Sequence, residues 1–351
     1  MDKWLAKLKT QTQVLRWILS LGVMVVSVWL LTRELDWGQV LSALQTANYT
    51  WVLVGVLVII GTFFARVWRW QALLWRADLR FWPALTALLV GQVANMVLPM
   101  RGGDLVRAMW LRPERNGAQD MEQDVARDVE PAVTRVAGAS EALGSVALEK
   151  VWDLLALLLC GLLLLALAPL PEWFSNSTWS TAGILLVGGL VLWAGLRWQE
   201  VLFRWAALIL ARFPAGWDKA LLPRLQRLAQ GLNSLQSAQA SGRVFLWTVI
   251  TWGLGAVSNW AVMRAFGVDS PVAAVFLLAT LMVGNAVVPT PARLGVYEGI
   301  CVVSLSLFDV PYDLALAIGL VLHLVVMGPP LIAAGILALG SQITRRVHGS
   351  S

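Results

Sequence analysis

The amino-acid sequence predicts an all-α polytopic membrane protein with about six full spans and two re-entrant, broken-helix hairpins arranged as an inverted repeat. Of the 351 residues, 58% are apolar and 14% are charged, whereas average soluble domains have about 45–50% and about 25%. The apolar residues form runs of spanning length, because about 20 helical residues cross a hydrocarbon core of about 30 Å. Two further apolar runs each end in a similar cluster of proline and glycine, which would interrupt a helix. We expect a single membrane-embedded domain over residues 1–351.

Six apolar segments are long enough to be full spans. Two shorter segments, 82–99 and 271–289, end in clusters of proline and glycine, so each is either a span or part of a re-entrant hairpin. The hairpins would cover 82–112 and 271–309, within a first half at 14–168 and a second half at 181–340. The six predicted spans are 14–33, 51–68, 148–168, 181–197, 244–265 and 314–339.

The distribution of basic residues favours the hairpins. If both are re-entrant, 24 of the 27 lysines and arginines lie on one side of the membrane, and the exceptions are Arg33, Arg264 and Arg293. Basic residues concentrate on the cytoplasmic side of membrane proteins. The sequence therefore predicts cytoplasmic termini, and this rule explains the net charge of +6 without a nucleic-acid partner.

Two long cytoplasmic connections differ in composition. Residues 113–141 are polar and acid-rich, which is typical of a flexible loop. In the region 199–240, leucines recur every three or four residues between basic and polar side chains. This spacing predicts an amphipathic helix lying on the inner leaflet.

The two candidate hairpins share a local pattern. Asn95-Met-Val-Leu-Pro99 and Asn285-Ala-Val-Val-Pro289 are each followed by an arginine and a glycine. A broken helix is tolerated at membrane depth where its backbone lines a cavity or is buried in protein. New half-helices beginning near Asp104 and Leu294 would direct their N-H groups into that cavity, where they would favour an anion.

Several arginines lie close to these breaks. Arg66 and Arg69 end the second span, Arg101 and Arg107 flank the first break, and Arg293 lies in the second. An arginine at bilayer depth costs about 2.5–3.5 kcal/mol on insertion scales, which favours a paired or functional role. For Arg66, Arg69 and Arg107, the alternative is that their side chains simply extend to the cytoplasmic headgroups.

Three acidic residues are candidate counter-charges. Glu149 and Asp153 lie four residues apart on one helix face, and Glu298 opens the return half of the second hairpin. They would either neutralise arginines or relay protons or substrate. Cys160 and Cys301 fit neither metal-ligand spacing nor a disulfide framework. No cofactor is expected.

Four motifs, in order, resemble the lysylphosphatidylglycerol synthase transmembrane (flippase-like) family over roughly residues 14–340: 66–70, 99–107, 149–153 and 289–298. The resemblance implies a prokaryotic plasma-membrane protein that moves a lipid with a polar headgroup between leaflets. The residues expected to contact that lipid are Arg66, Arg69, Asn95, Arg101, Gly102, Gly103, Asp104, Arg107, Glu149, Asp153, Asn285, Arg293, Gly295 and Glu298.

The chain departs from the family pattern in three places. A glutamate is usual where Asp104 stands, and a glycine pair is usual where Ala292 and Arg293 stand. Full synthases carry a soluble aminoacyl-transferase domain after the membrane part. This chain ends at Ser351, so we do not expect it to make an aminoacyl lipid.

Three functions follow as hypotheses. The first is a translocase for an anionic or aminoacylated phospholipid or a lipid-linked precursor. The second is a non-transporting lipid-binding partner of a lipid-modifying or glycosyl-transferring enzyme. The third is an integral-membrane transferase with Glu149, Asp153 or Glu298 as the base, which the lack of a recognisable metal cluster disfavours.

Overall fold

The computed structural model describes residues 20–33, 35–74, 79–97, 102–110, 139–167, 187, 205, 238–287 and 290–348. In these ranges the chain is helical and has no β-strand. A 3-10 turn, Pro291–Arg293, precedes α9. The α-helices are α1 Ser20–Thr32, α2 Trp37–Thr46, α3 Tyr49–Leu73, α4 Phe81–Val97, α5 Gly103–Trp110, α6 Ala139–Leu167, α7 Ala238–Ala265, α8 Pro271–Val287, α9 Val296–Ser306 and α10 Tyr312–His348.

Three helices are long and apolar enough to cross a membrane: α3, α7 and the first 25 residues of α10. Helices α3, α7 and α10 contain the predicted spans 51–68, 244–265 and 314–339. Large apolar side chains also cover the outside of the bundle; Leu324 is 71% exposed and Trp82 is 72% exposed. Such a surface is stable against lipid tails and not against water. The protein is therefore a multi-pass membrane protein.

The remaining predicted segments are only partly described. The span at 148–168 lies in α6, which begins nine residues earlier, at Ala139. The described part of the span at 14–33 is α1. The predicted span at 181–197, the acidic loop at 113–141 and the interfacial helix at 199–240 lie outside the described residues, apart from 139–141, 187, 205 and 238–240.

The centre of the bundle is the long contact between α3 and α7. At their crossing, a Cβ atom added to Gly55 would lie 2.8 Å from Cγ2 of Val262. The Ser258 hydroxyl donates a hydrogen bond of 3.0 Å to the carbonyl of Gly55. Small residues and hydroxyls of this kind allow membrane helices to approach closely. This crossing joins the first half of the chain to the second.

Two helices of equal length precede the two breaks. Helices α4 and α8 each have 17 residues, which gives about 25 Å of helix at about 1.5 Å per residue. Each is followed by a short helix that packs against it, α5 on α4 and α9 on α8. The first contact needs glycine, because a Cβ on Gly103 would overlap the carbonyl oxygen of Gly91. In the second, a Cβ on Gly284 would collide with Ile300.

Helix α2 was not predicted from the sequence. The carboxylate of Asp36 caps it by accepting hydrogen bonds from the backbone N-H groups of Gly38 and Gln39, at 2.9 and 3.3 Å. The backbone N-H of Asp36 donates in turn to Asp313 at the start of α10, at 3.2 Å. An aspartate followed by a helical turn is a usual N-terminal signal, but ten residues are too few for a span.

Candidate functional site

Four charged side chains from three helices form a buried ion-pair network. Arg69 of α3 donates from Nη2 to Oε1 of Glu149 at 2.6 Å and from Nη1 to Oδ1 of Asp153 at 2.8 Å. Arg107 of α5 donates from Nη2 to Oε2 of Glu149 at 2.5 Å. Glu149 and Asp153 project from one face of α6, as their spacing of four residues predicts. Both oxygens of Glu149 are therefore engaged by arginines.

This network pairs the two predicted arginines with the two predicted acids. Arg69 and Arg107 are buried, at 2% and 6% exposure, so the alternative that they merely extend to the headgroups is wrong for both. Glu149 and Asp153 neutralise arginines, as expected. A buried charge needs such a partner because desolvation of an isolated ion is costly.

Aromatic side chains support the network. The guanidinium carbon of Arg107 lies 4.2 Å from the centre of the Trp70 ring, within the range of a cation–π interaction. The Trp70 indole N-H donates to Ser145 at 2.8 Å. The Trp252 indole N-H donates to Asp153 at 3.4 Å. The sequence did not predict these residues as part of the site, because tryptophans near span ends are usually interfacial anchors.

The start of α5 is held by the first predicted break motif. The Asn95 side-chain oxygen accepts from the backbone N-H of Gly103 at 2.8 Å, and its amide donates to Asp104 at 3.4 Å. Lys150 lies 3.6 Å from the other oxygen of Asp104. The first N-H of this half-helix is thus already satisfied by Asn95. Gly102 precedes α5 as a turn residue, and Arg101 lies outside the described residues.

Three residues of the second break have positive φ angles, in the left-handed region. Ala292, Arg293 and Gly295 have φ values of 48°, 61° and 77°. This conformation favours glycine, which fits the glycine pair that the resemblance implies at the first two positions. Gly295 also approaches α1 closely, since an added Cβ would lie 2.9 Å from Cβ of Ser27.

Glu298 has a different partner from the one expected. Its Oε2 accepts from the backbone N-H of Gly295 at 2.8 Å, and its Oε1 lies 2.5 Å from Nδ1 of His323. Beside Oε1, where an arginine was expected, the structure places the ring of His323 on α10. The carboxylate also caps α9, so the N-H of Gly295 is not left for a ligand.

The hydrogen-bond partners of His323 indicate how many protons His323 and Glu298 hold together. Nε2 of His323 lies 2.9 Å from the carbonyl oxygen of Ala292, which can only accept, so Nε2 carries a hydrogen. One proton is then shared between Nδ1 and Oε1 of Glu298. The pair is either imidazolium with carboxylate or imidazole with carboxylic acid, and both forms are neutral overall. The Tyr297 ring stacks on the imidazole at 4.6 Å.

A cavity lies between the ion-pair network and the second break. It offers about 190 Å³ to the centres of water molecules, and about 10–15 Å³ on this measure holds one water. Arg66 and Arg69 of α3 and Arg107 of α5 line it from the first half of the chain, and Arg293 and Tyr297 line it from the second half. The cavity is therefore polar, larger than a single water site and shared by both halves.

The structure places eight of the predicted site residues in the wall of this cavity. Gly102, Gly103, Gly295 and Glu298 hold the two breaks but are not among its lining residues. Asn285 lies near the end of α8, and its side chain is outside the description. The eight are Arg66, Arg69, Asn95, Asp104, Arg107, Glu149, Asp153 and Arg293.

The cavity wall also contains polar residues that sequence reasoning did not select. They are Gln92, Lys150, Thr251, Trp252, Asn259 and Tyr297. Because α7 carries no break or motif, nothing in its sequence marks Thr251, Trp252 and Asn259 as different from the polar residues of an ordinary buried helix face.

The described residues contain no group of three or more histidine, cysteine or acidic side chains able to hold a metal ion. Cys160 and Cys301 are unpaired thiols, and Cys301 is buried. The charged chemistry of the described site is thus that of guanidinium, ammonium, carboxylate and imidazole groups.

Comparison with known proteins gives one family. No curated protein and no solved structure matches the chain. The sequence model of the family described as the lysylphosphatidylglycerol synthase TM region matches residues 17–334, which is most of the chain. The protein with this charged, two-sided cavity therefore belongs to the lysylphosphatidylglycerol synthase TM region family.

Proposed function

We propose that the protein is a flippase-like translocase that moves a phospholipid or lipid-linked precursor between the leaflets of a prokaryotic plasma membrane. Its substrate would carry a polar headgroup, anionic or aminoacylated. The observation that supports this most is the cavity, in which arginines from both halves of a membrane-embedded helical bundle line one space. Family membership adds a relation to membrane lipids.

The lining of the cavity suits an amphiphile. Charged residues of α3, α5 and α6 form one wall, and Leu278, Leu281 and Val326 belong to an apolar wall from α8 and α10. A headgroup phosphate would contact guanidinium groups, with which it forms charge-assisted hydrogen bonds. The glycerol and first acyl carbons would lie against the apolar wall.

The proposal includes a membrane arrangement. We infer that α4–α5 and α8–α9 are re-entrant hairpins entering from opposite sides, as in an inverted repeat. The equal lengths of α4 and α8 and the short helices packed on them support this inference. The bias of 24 basic residues out of 27 supports cytoplasmic termini.

We propose a transport function and not an enzymatic one. A general base needs a carboxylate that can accept a proton from the substrate. Glu149 gives both oxygens to arginines, Asp153 accepts from Arg69, and Glu298 is occupied by His323 and Gly295. The second candidate is a non-transporting partner that binds a lipid for a lipid-modifying enzyme, since the same cavity would serve it.

A leaflet-resolved assay tests the proposal. Purified full-length protein is reconstituted in liposomes that contain a trace of phosphatidylglycerol labelled with a fluorophore in both leaflets, and a membrane-impermeant reagent quenches the outer leaflet. A translocase brings inner-leaflet label to the outside, so quenching proceeds beyond that of protein-free liposomes. Quenching equal to the protein-free control, with the protein shown to be folded, would favour the lipid-binding partner.

A further inference from the structure

Arg66 differs from the other cavity arginines of the first half. It precedes Arg69 by three residues on α3, so both side chains leave the same face of the helix. Arg66 lines the cavity, but it forms no hydrogen bond or ion pair with another residue in the part of the chain that the structure describes. Arg69 and Arg107, by contrast, are fixed by carboxylates. Arg66 therefore presents a guanidinium to the cavity.

Each carboxylate that the structure describes in the cavity wall lies beside a cationic side chain of the protein. Glu149 accepts from two arginines, and Asp153 accepts from Arg69 and from the Trp252 indole. Asp104 lies 3.6 Å from the ammonium group of Lys150 and accepts from an amide. Among the described residues, each lining carboxylate therefore already has a cationic side chain of the protein beside it.

The net formal charge of the described cavity wall is positive. Among the described lining residues of the first half of the chain, four side chains are cationic and three are carboxylates, which leaves a formal excess of one positive charge. Electrostatic interactions between groups buried in a protein are stronger than in bulk water. An anion is therefore attracted, whereas a cationic headgroup would meet repulsion without a compensating acid.

Resting on the proposed function, we propose that the cavity selects an anionic headgroup, a phosphate ester without a compensating ammonium group, and that Arg66 is its principal donor. An aminoacylated headgroup, whose amine is cationic, would be disfavoured. Arg66 offers a planar set of N-H donors that matches phosphate oxygens in pairs. The ligand would complete the charge balance that the protein itself leaves open.

Equilibrium binding to the purified full-length protein in detergent micelles tests this selection. Three probes are compared: phosphatidylglycerol, lysylphosphatidylglycerol with the same acyl chains, and soluble glycerol 3-phosphate. We expect phosphatidylglycerol to bind at least about tenfold more tightly than the lysyl lipid, because one charge-assisted contact corresponds to about one decade. Glycerol 3-phosphate should bind far more weakly, since it lacks the apolar part.

Variants of Arg66 separate binding from folding. Arg66→Gln should weaken phosphatidylglycerol binding by about tenfold or more and should leave binding of the lysyl lipid nearly unchanged. Its thermal stability should not fall, because Arg66 has no protein partner to lose. Arg66→Lys should restore part of the affinity. Arg264→Gln is the matched control, since Arg264 is paired with Asp269 and is not part of the cavity wall.

Each contrary result has a distinct meaning. Equal or tighter binding of lysylphosphatidylglycerol, or unchanged affinity in folded Arg66→Gln, would overturn the selection of an anionic headgroup. Glycerol 3-phosphate that binds as tightly as the lipid would assign the site to a free phosphate ester and contradict the lipid source. Selective binding of phosphatidylglycerol without movement between leaflets would support the selection and reject the translocase.

Discussion

A single carboxylate, Glu149, holds two buried arginines from different helices, Arg69 of α3 and Arg107 of α5. Its removal would leave Arg107 without its carboxylate and Arg69 with Asp153 alone, and breaking a buried pair costs about 3–5 kcal/mol. We therefore expect Glu149→Gln to lower the unfolding temperature of the purified protein markedly. Thermal unfolding followed by circular dichroism in detergent measures this effect.

The control for this variant is Asp269→Asn. Asp269 lies 3.7 Å from Arg264 in an exposed pair, and exposed pairs contribute about 0–1 kcal/mol. Its unfolding temperature should remain close to that of the wild type. If Glu149→Gln were no less stable than Asp269→Asn, the ion-pair network could not be what joins α3, α5 and α6.

The pair formed by Glu298 and His323 gives a second prediction at this scale. Both carboxylate oxygens are occupied, and the shared proton leaves the pair neutral in either form. We expect Glu298→Gln to reduce stability, because the amide replaces a charge-assisted hydrogen bond by a neutral one. The pH dependence of lipid transport should stay the same. A transport rate that loses its pH dependence in this variant would show instead that Glu298 relays protons.

At the scale of elements, the contact of α4 with α5 depends on glycine. A Cβ on Gly103 would overlap the backbone of Gly91, and overpacking of this kind typically costs about 1–3 kcal/mol. Gly103→Ala should therefore destabilise the protein and separate Arg107 from Glu149. Gly253→Ala on α7 is the control, because no atom lies within 4 Å of its added Cβ. Equal unfolding temperatures for the two variants would contradict the close packing of this hairpin.

The long apolar helices and the pairing of acids with arginines could be predicted from the sequence. Spans 51–68, 244–265 and 314–339 follow from length and hydropathy alone, and the four-residue spacing of Glu149 and Asp153 places both on one face. These are local properties, which a sequence pattern carries directly.

The tertiary partners could not be predicted in this way. His323 is 25 residues from Glu298 along the chain, and its position in an apolar span gives no sign of a carboxylate beside it. Trp252 looks like any tryptophan of a membrane helix, yet it donates to Asp153, 99 residues away. The short helix α2 was missed because its ten residues are too few for the spanning pattern that dominates this sequence.

At the scale of the whole molecule, the arrangement in the membrane is tested by labelling. Single cysteines at positions 117 and 230, in a background with Cys160 and Cys301 replaced, should react with an impermeant maleimide only from the cytoplasmic side. This result follows if both hairpins are re-entrant, because the two long connections then stay on the side that is rich in basic residues. Labelling of either position from outside intact cells would remove the two-hairpin arrangement.

The central claim is that charges from both halves of the chain act on one lipid headgroup. Arg293 tests it most directly, since among the described residues it is the arginine that lines the cavity from the second half. In the liposome assay, Arg293→Gln should slow lipid movement by about tenfold or more, because a charge-assisted contact corresponds to about one decade. Arg293→Lys should recover part of the rate, and Arg264→Gln should retain it. A folded Arg293→Gln protein that moves lipid at the wild-type rate would contradict the shared cavity as the path of the headgroup.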